Sequence, residues 1–275
     1  MVQISAHADH REEAGPVTCQ TYMEMLASGA EYAEFDIRRT ADGVLVAYHD
    51  ARAGRDGPLV SGLEYPALCD RLGYAVPRVD EVMAVLAGRL TGHLDLKEAG
   101  YEEEVTGLAS SILGAGNYVI TTLEDVSVAA IKRASPQTRT ALSLGRSLRG
   151  VPQHRWAAVR HSELFPLPRI RACGADAVAV NYRLARLGVT RACHRHGVGV
   201  MVWTVDAGPL IDQFLTDPRI DVLITNRPRH AARRRAELEA GPASGREVTG
   251  RQGRTAGHRE VAGTASPPSR PARGG

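Results

Sequence analysis

The sequence has few aromatic residues, few cysteines and no long apolar run. Aromatic side chains make up 5% of its 275 residues, so Val, Leu, Ala and Ile must fill most of the interior. The four cysteines are far apart and include no Cys-x-x-Cys pair, which predicts buried, reduced thiols. No apolar segment is long enough to span a bilayer, so stable membrane insertion is not expected.

The N-terminus also lacks the charged and then apolar segments of a secretory signal, and a cytoplasmic location is expected. The formal net charge of +3 is unevenly distributed. Nine arginines and four glutamates lie from Arg233 onward and carry +5, which leaves −2 for the preceding body. A slightly acidic body does not predict nucleic-acid binding, and it suits a bound cation.

The C-terminal residues have a different composition from the body. After about Ala240 the chain consists largely of Gly, Pro, Ser, Thr and Arg, which cannot bury enough apolar surface to offset the entropy of ordering. A disordered tail is therefore predicted over residues 239–275, with its arginines in a solvated extension. Arg233, Arg234 and Arg235 are expected at the end of the last helix, where the helix dipole favours cations.

Residues 1–238 alternate short apolar runs with longer amphipathic runs, which predicts a parallel sheet covered by helices. About eight such units fit this length, so the predicted fold is a single TIM (β/α)8 barrel. The predicted strands are Val2–Ala6, Tyr32–Ile37, Val44–Tyr48, His93–Leu96, Tyr118–Thr121, Thr140–Leu144, Ala177–Val180, Val198–Thr204 and Val222–Thr225. The predicted helices are Thr18–Ser28, Val79–Ala87, Tyr101–Leu113, Leu123–Ser135, Leu187–His196 and Leu210–Leu215.

Two segments do not fit the simple alternation. The run Val44–Tyr48 follows Asp42-Gly43, a tight-turn signal, and is predicted to form a short hairpin beside the second strand. The segment Gly145–Leu167 is interpreted as a helix followed by a long loop at the barrel mouth, the end where the strands terminate.

Two carboxylates lie two residues apart on the second predicted strand. Glu34 and Asp36 point to the same side, while Ala33, Phe35 and Ile37 point to the other side, towards covering helices. The repulsion between two inward-facing carboxylates would raise the pKa of one sharply unless a cation lies between them. Oxygen ligands favour Mg²⁺, Ca²⁺ or Mn²⁺. The alternative is that the carboxylates pair with an interior Lys or Arg.

The next barrel strand contributes His93-Leu94-Asp95-Leu96-Lys97. His93, Asp95 and Lys97 share one side of this strand, so Asp95 can be a third metal ligand. Lys97 lies nearer the mouth and can bind a phosphate oxygen, or it can form a salt bridge with Glu34 or Asp36. His93 lies deeper and is predicted to be a structural histidine.

Two histidines lie at strand ends, where the active sites of barrel enzymes are built. His7 ends the first predicted strand, and His49 ends the hairpin strand. Two histidines beside three carboxylates suggest a general base and a general acid on either side of a phosphorus atom.

Together these residues resemble the glycerophosphodiester phosphodiesterase family over nearly the whole body. The family pattern begins with a His that ends the first strand and continues with Glu-x-Asp, Thr-x-Asp-Gly and His-Asp. The matching segments are Ile4–His7, Gly29–Ile37, Thr40–Gly43, His49-Asp50, Val76–Val82, Leu94–Lys97, Val200–Asp206 and Asp221–Pro228.

The resemblance implies a metal-dependent hydrolase that cleaves a small glycerophosphodiester to glycerol phosphate and an alcohol. It implies Mg²⁺ or Ca²⁺, with Mn²⁺ as a further candidate, bound by Glu34, Asp36 and Asp95. It also implies that His7 and His49 are the acid–base pair. Lys97 would then bind phosphate, and Trp203 would line the substrate pocket or plug the barrel.

The sequence also departs from the family pattern. The family's His-Arg-Gly is replaced by His7-Ala8-Asp9, which removes an arginine that helps bind phosphate, and His10 or Arg11 is a candidate substitute. Its Pro-Glu-Asn-Thr becomes Gly15-Pro16-Val17-Thr18, and its Glu-x-Lys has Asp95 in place of Glu. Two alternatives therefore stay open. One is a lyase or transferase that forms a cyclic phosphate, like the relatives of sphingomyelinase D, and the other is a catalytically impaired binding protein.

Overall fold

The computed structural model describes residues 1–8 and 15–240, and these described residues form one compact unit. The described part contains nine strands. They are β1 (Gln3–Ala6), β2 (Tyr32–Arg39), β3 (Leu45–Ala47), β4 (Thr91–Leu96), β5 (Tyr118–Thr122), β6 (Arg139–Leu144), β7 (Ala177–Asn181), β8 (Gly199–Trp203) and β9 (Val222–Thr225).

Eleven α-helices connect or cover these strands in the described residues. They are α1 (Cys19–Met25), α2 (Tyr65–Leu72), α3 (Val79–Leu86), α4 (Glu102–Ile112), α5 (Asp125–Ala134), α6 (Trp156–Leu164), α7 (Leu167–Cys173), α8 (Tyr182–Leu184), α9 (Thr190–Arg195), α10 (Gly208–Leu215) and α11 (Pro228–Ala240). No helix among them is long and apolar enough to cross a membrane.

Eight of the strands run parallel and close into a barrel. Each strand pairs with its neighbours in the order β1, β2, β4, β5, β6, β7, β8 and β9, and β9 returns to pair with β1. Closure pairs each of these eight strands on both sides over at least part of its length. The predicted TIM barrel is confirmed, and the predicted tail lies outside the described residues beyond Ala240.

The ninth strand, β3, forms the predicted hairpin with β2. It pairs antiparallel with the last residues of β2, through Ile37↔Ala47 and Arg39↔Leu45. β1 pairs only with the start of β2, at Tyr32 and Ala33, so the far end of β2 has an edge for β3 to occupy. The hairpin therefore delivers His49 to the barrel mouth.

Apolar side chains pack in three clusters. The largest lies between the strands and the helices and includes Ala33, Phe35 and Ile37, as the alternation of β2 predicts. A smaller cluster fills the barrel interior, where Tyr32, Met201 and other side chains from four further strands meet. The interior is therefore a packed core below the site.

The third cluster lies at β3 and the residues that follow it, and it includes α2, a helix that is not predicted from sequence. Val46, Tyr48, Leu68 and Val76 pack together there, and α2 supplies Leu68. Gly73 ends α2 with φ +76°, a left-handed conformation that glycine adopts without steric strain. This small unit supports the segment that carries His49.

Several predicted boundaries are wrong. In the segment Gly145–Leu167 the order is reversed, because an irregular stretch follows β6 and the helices α6 and α7 come after it. The predicted helix Leu187–His196 begins only at Thr190, since Gly188 has φ +97° and breaks the helical path. The predicted helix Thr18–Ser28 is shorter and ends at Met25.

Two predictions about particular residue types are also wrong. The arginines 233–235 lie in the middle of α11, where Arg234 pairs with Asp212 and Arg235 pairs with Glu31. Arg234 and Arg235 therefore form ion pairs with residues outside α11, and Arg233 pairs with Glu237 of the same helix. Of the four thiols, Cys173 and Cys193 are buried, whereas Cys19 and Cys69 are partly exposed.

Candidate active site

Three carboxylates meet inside the barrel mouth. β2 and β4 pair in register with Asp36 opposite Asp95, and Glu34 lies one alternation step before Asp36. One oxygen from each of Glu34, Asp36 and Asp95 lies within 4.8 Å of the other two. Glu34 and Asp36 are buried, at 3% and 0% relative exposure, and Asp95 is partly buried. The register of two parallel strands thus assembles the predicted cluster.

Lys97 lies at the edge of this cluster, as its position at the end of β4 requires. Its Nζ is 2.6 Å from Asp36 Oδ1 and 2.5 Å from Asp95 Oδ2. Burial alone would lower the pKa of Lys97, but the carboxylates of Asp36 and Asp95 outweigh burial and raise it. The predicted alternative, a salt bridge from Lys97 to Asp36, is therefore observed.

The surroundings of Glu34 favour its uncharged form, whereas those of Lys97 favour the charged form. Burial is the main cause that raises its pKa well above the usual carboxyl value, and the Asp36 carboxylate raises it further. The Ala8 backbone N–H donates to Glu34 Oε2 at 3.2 Å, which favours the ionised form and partly offsets this effect. A proton or a bound cation would relieve the repulsion.

The composition of the cluster fits a divalent cation. Three ionised carboxylates and one ammonium group sum to a charge of −2, which a single divalent ion would neutralise. The available donors are carboxylate oxygens, the ligand type that Mg²⁺, Ca²⁺ and Mn²⁺ prefer. Asp95 also accepts a hydrogen bond from Thr121 Oγ1 at 2.5 Å, which fixes one of its oxygens. Oriented ligands of this kind are characteristic of metal sites.

His93 lies below the carboxylates and is structural, as predicted. Because Thr121 donates its proton to Asp95, it must accept from His93 Nε2, at 3.1 Å. His93 Nδ1 then accepts from Ser5 Oγ at 2.9 Å. Burial lowers the pKa of His93 to about 4, consistent with a neutral ring. The histidine orients Asp95 through Thr121.

His7 follows β1 and faces the carboxylate cluster. Its Nε2 is 3.8 Å from Glu34 Oε2, and its Nδ1 is 2.8 Å from Asn226 Oδ1. The Asn226 amide nitrogen donates to Asp206 Oδ2 at 2.8 Å, which assigns Oδ1 as the acceptor for His7. His7 therefore carries its proton on Nδ1 when neutral and directs Nε2 towards the site.

His49 follows the hairpin strand and contacts a carboxylate of its own. Its Nδ1 lies 2.8 Å from Asp50 Oδ1, and its backbone carbonyl accepts from Arg38 Nε at 3.0 Å. Arg38 is buried and also pairs with Glu98. The segment with His49 is thus attached to β2 by a buried guanidinium, although the imidazole itself is half-exposed.

A cavity of about 280 Å³ connects these groups. The residues that line it include both histidines and Glu34, Asp95 and Lys97. Trp203 and Arg146 line it as well. Trp203 donates its Nε1–H to Ala179 O at 2.8 Å and packs against the interior cluster, so it both lines the cavity and plugs the barrel. The predicted site residues except Asp36, which is fully buried beneath them, therefore line one cavity.

Residues 10–68 match the model of the glycerophosphoryl diester phosphodiesterase family. The chain is similar to this family over that segment. The matched segment includes β2 with Glu34 and Asp36, and the hairpin with His49. No curated protein matches the sequence.

Solved structures of glycerophosphodiester phosphodiesterases share the fold at low sequence identity. A relative from Agrobacterium tumefaciens is 22% identical with a TM-score of 0.64 and covers 86% of this chain and 100% of its own. One from Parabacteroides distasonis is 18% identical with a TM-score of 0.66, covering 86% and 98%. An Oleispira antarctica phosphodiesterase in complex with sn-glycerol-3-phosphate is 16% identical with a TM-score of 0.64, covering 86% and 97%.

The departures from the family pattern lie beside the carboxylate cluster. Ala8, in the position of the family arginine, is fully buried and donates its N–H to Glu34. The candidate substitutes His10 and Arg11 lie outside the described residues. The described part of the cavity wall contains another arginine, Arg146, whose role the sequence does not reveal.

Arg146 is held in place by its side chain and by its backbone. Its Nη2 donates to Leu123 O at 3.1 Å and to Glu124 Oε1 at 2.7 Å. The buried Glu163 carboxylate accepts the N–H groups of Gly145 and Arg146, at 2.9 and 2.7 Å. Leu123 follows β5, which is paired with β4, so the guanidinium is anchored at the strand end next to Lys97.

Asn226, Asp206, Thr121 and Arg146 are the functional candidates that the sequence analysis does not single out. Asn226 and Asp206 lie within segments that carry the family resemblance, which is a usable signal for them. Thr121 reads as an ordinary strand residue, and Arg146 lies in a segment without a clear pattern. Their roles depend on partners that are distant along the chain.

Proposed function

We propose that the chain is a metal-dependent phosphodiesterase that hydrolyses a glycerophosphodiester to glycerol phosphate and an alcohol. The observation that carries the proposal is the convergence of Glu34, Asp36 and Asp95 beside His7 and His49 in one cavity. The family match and the neighbour that binds sn-glycerol-3-phosphate support this choice of substrate class.

Glu34, Asp36 and Asp95 would hold the divalent ion. Bound there, it would act as a Lewis acid that neutralises and polarises the phosphodiester. Glu34 is the ligand nearest to His7, at 3.8 Å, so the histidine and the metal site would act on the same phosphoryl group. Asp95 is kept in position by the hydrogen bonds through Thr121 and His93.

The two histidines would move the protons. One imidazole removes the proton from the attacking oxygen as the new P–O bond forms, and the other protonates the leaving alkoxide as the old P–O bond breaks. His7 is prepared for either task, because Asn226 fixes its tautomer and directs Nε2 at the cavity. His49 is oriented by Asp50 in the same way.

Two cations of the cavity wall would bind the phosphate. Lys97 is already beside the carboxylates. Arg146 also lines the cavity, and its Nε and Nη1 make no hydrogen bond within residues 1–8 and 15–240. Its guanidinium can therefore donate hydrogen bonds to an anionic oxygen without first breaking its contact with Glu124. We assign to Arg146 the part of the arginine that is missing after His7.

An activity assay tests this proposal. After removal of metal by EDTA, a panel of glycerophosphodiesters should release alcohol only when Mg²⁺, Ca²⁺ or Mn²⁺ is restored. H49Q should lower kcat at least about a hundredfold, as expected for loss of a general acid or base. H161Q, a change at an exposed histidine of α6, is the matched control and should retain activity. Full activity in EDTA, or in H49Q, would refute the assignment.

The cyclic-phosphate alternative is decided by the product. The attacking oxygen can be water or the glycerol 2-hydroxyl, and the second route forms a cyclic phosphate first. Phosphorus NMR during turnover should show a monoester accumulating from the start if the chain is a hydrolase. A cyclic phosphate that persists would instead identify a lyase on the same barrel.

A further inference from the structure

The charge of the body is strongly segregated along the chain. Residues 145–197 contain ten arginines, no lysine and two acidic residues, a formal charge of +8. The other residues of 1–240 together carry −9. The near-neutral average of the body therefore conceals one basic sector beside an acidic remainder.

Half of these arginines lie in two neighbouring loops at the barrel mouth. The loop between β6 and α6 carries Arg146, Arg149 and Arg155, and the segment after β7 carries Arg183 and Arg186. β6 and β7 are paired strands, so the two loops leave the same edge of the mouth. No acidic residue occurs in residues 145–162 or 177–205, so nothing within these loops offsets the charge.

Most of these guanidinium groups are available to a partner. Arg149, Arg155, Arg183 and Arg186 are exposed, and none of them has an ion pair with any residue that the structure describes. Arg146 differs, because it lines the active-site cavity and pairs with Glu124. Arg146 and Arg155 both line a second cavity, which connects the basic loops with the site.

Two exposed apolar side chains lie within the same loops. Leu187, in the turn after α8, is 68% exposed, and Trp156, the first residue of α6, is 40% exposed. The turn at residues 185–189 packs against α6, so the two segments are neighbours. Trp156 donates its Nε1–H to Val151 O at 2.8 Å, which ties the ring to the basic loop.

We propose that this basic rim, formed by Arg149, Arg155, Trp156, Arg183, Arg186 and Leu187, is a peripheral docking surface for an anionic lipid bilayer. Arginines attract the negative surface potential of such a bilayer, and an indole and a leucine side chain can enter the headgroup region. A surface with this combination at the mouth would bring the cavity to face the lipid. The inference depends on charge and exposure, and it holds whether or not the proposed hydrolysis is correct.

Vesicle binding by the full chain tests the proposal with two charge-reversal variants. R149E/R186E changes the rim. R171E/R195E makes the same change in net charge at the last turns of α7 and α9, which lie at the opposite end of the barrel. The C-terminal arginines are present in both variants, so their contribution cancels in the comparison. Neither variant changes a residue placed in the catalytic site.

The wild type should bind phosphatidylcholine vesicles of which about a third of the lipid is phosphatidylglycerol, and it should not bind pure phosphatidylcholine vesicles. Binding to the anionic vesicles should weaken as the salt concentration is raised. R149E/R186E should lose about tenfold or more in partition coefficient, and R171E/R195E should stay within about twofold of the wild type. Trp156 is one of two tryptophans in the chain, and its fluorescence should shift to the blue on binding.

Three outcomes would overturn the proposal. They are absence of vesicle binding by the wild type, equal loss in the two variants, and binding without any change in tryptophan fluorescence. Binding of an oligonucleotide that is stronger than binding of anionic vesicles would also overturn it, because the rim would then be a nucleic-acid surface. Turnover of a water-soluble diester should be unchanged in both variants, which separates this test from that of the catalytic site.

Discussion

Glu34 illustrates the conflict between stability and function at a single residue. Its carboxylate is buried beside Asp36, and both burial and repulsion favour the protonated form. A metal ligand must instead be ionised. The residue is therefore unfavourable in the metal-free protein and useful only when a cation is bound.

The substitution E34Q tests this conflict. Replacing the carboxyl by a neutral amide removes the repulsion, so the metal-free variant should match the wild type or exceed its free energy of unfolding by about 1 kcal/mol, a rise in Tm of roughly 2–4 °C at this size. E103Q, at an exposed position in the first turn of α4, is the control. Thermal unfolding in EDTA gives the answer, and a large drop in Tm for E34Q alone would contradict it.

Arg146 is a candidate phosphate-binding residue that the sequence alone does not predict. If its guanidinium binds the phosphate, R146Q should raise KM by about tenfold or more for every diester, whatever its alcohol, and should weaken inhibition by glycerol 3-phosphate to a similar degree. R146K should restore part of the loss. The control R149Q, in the same loop but outside the cavity lining, should leave KM unchanged. A loss confined to one alcohol would show that Arg146 contacts the leaving group instead.

At the scale of the element, the register of β2 and β4 accounts for much of what was predictable. Alternation along a strand fixes that Glu34, Asp36 and Asp95 face inward, and the barrel fold makes the two strands neighbours. The loops were not predictable in the same way. The position of Arg146 depends on Glu163, which is distant in sequence and gives no local signal. Helix ends such as Gly188 depend on single backbone conformations.

The loop after β6 has its own test in Gly145. With φ +114°, its backbone lies so close to β7 that an added Cβ would be 2.6 Å from Asn181 Cβ and 3.3 Å from Trp203 Cζ2. G145A should therefore shift the loop, raise KM and destabilise the protein. G150A is the matched control, because Gly150 has φ +77° and open space around it. An alanine there has the same backbone strain but no steric clash with a neighbouring strand.

The difference between these two variants isolates the contact. Strain at a positive φ should cost G150A about 1 kcal/mol, and G145A should lose a further 1–3 kcal/mol, roughly the cost of overpacking. Chemical denaturation and steady-state kinetics measure the two effects. Equal stability of the two variants would show that the loop does not depend on its packing against β7.

For the whole molecule, the metal site should couple stability to pH. The pKa of Glu34 is higher in the folded state than the ordinary value of 4.5, so this residue stabilises the metal-free fold at low pH. That contribution is lost as pH rises above about 4.5 and through the raised pKa. His93 acts in the opposite direction, because its lowered pKa costs stability as pH falls from about 6.5 towards 4.

The contribution of Glu34 can be separated by subtraction. Without metal, the Tm of the wild type should fall relative to the Tm of E34Q as the pH is raised from 5 to 8. His93 is present in both proteins, so its contribution cancels in this comparison. Added Mg²⁺ should raise the Tm of the wild type more at pH 8 than at pH 5, since the ligands are then ionised. A difference that does not vary with pH would show that Glu34 titrates normally.

The central claim is that one divalent ion binds to Glu34, Asp36 and Asp95, and calorimetric titration of the EDTA-treated protein tests it most directly. The wild type is predicted to bind one ion per chain of at least one of Mg²⁺, Ca²⁺ and Mn²⁺, and E34Q is predicted to lose that binding. The absence of binding by the wild type, or the same binding isotherm in E34Q, would contradict the account.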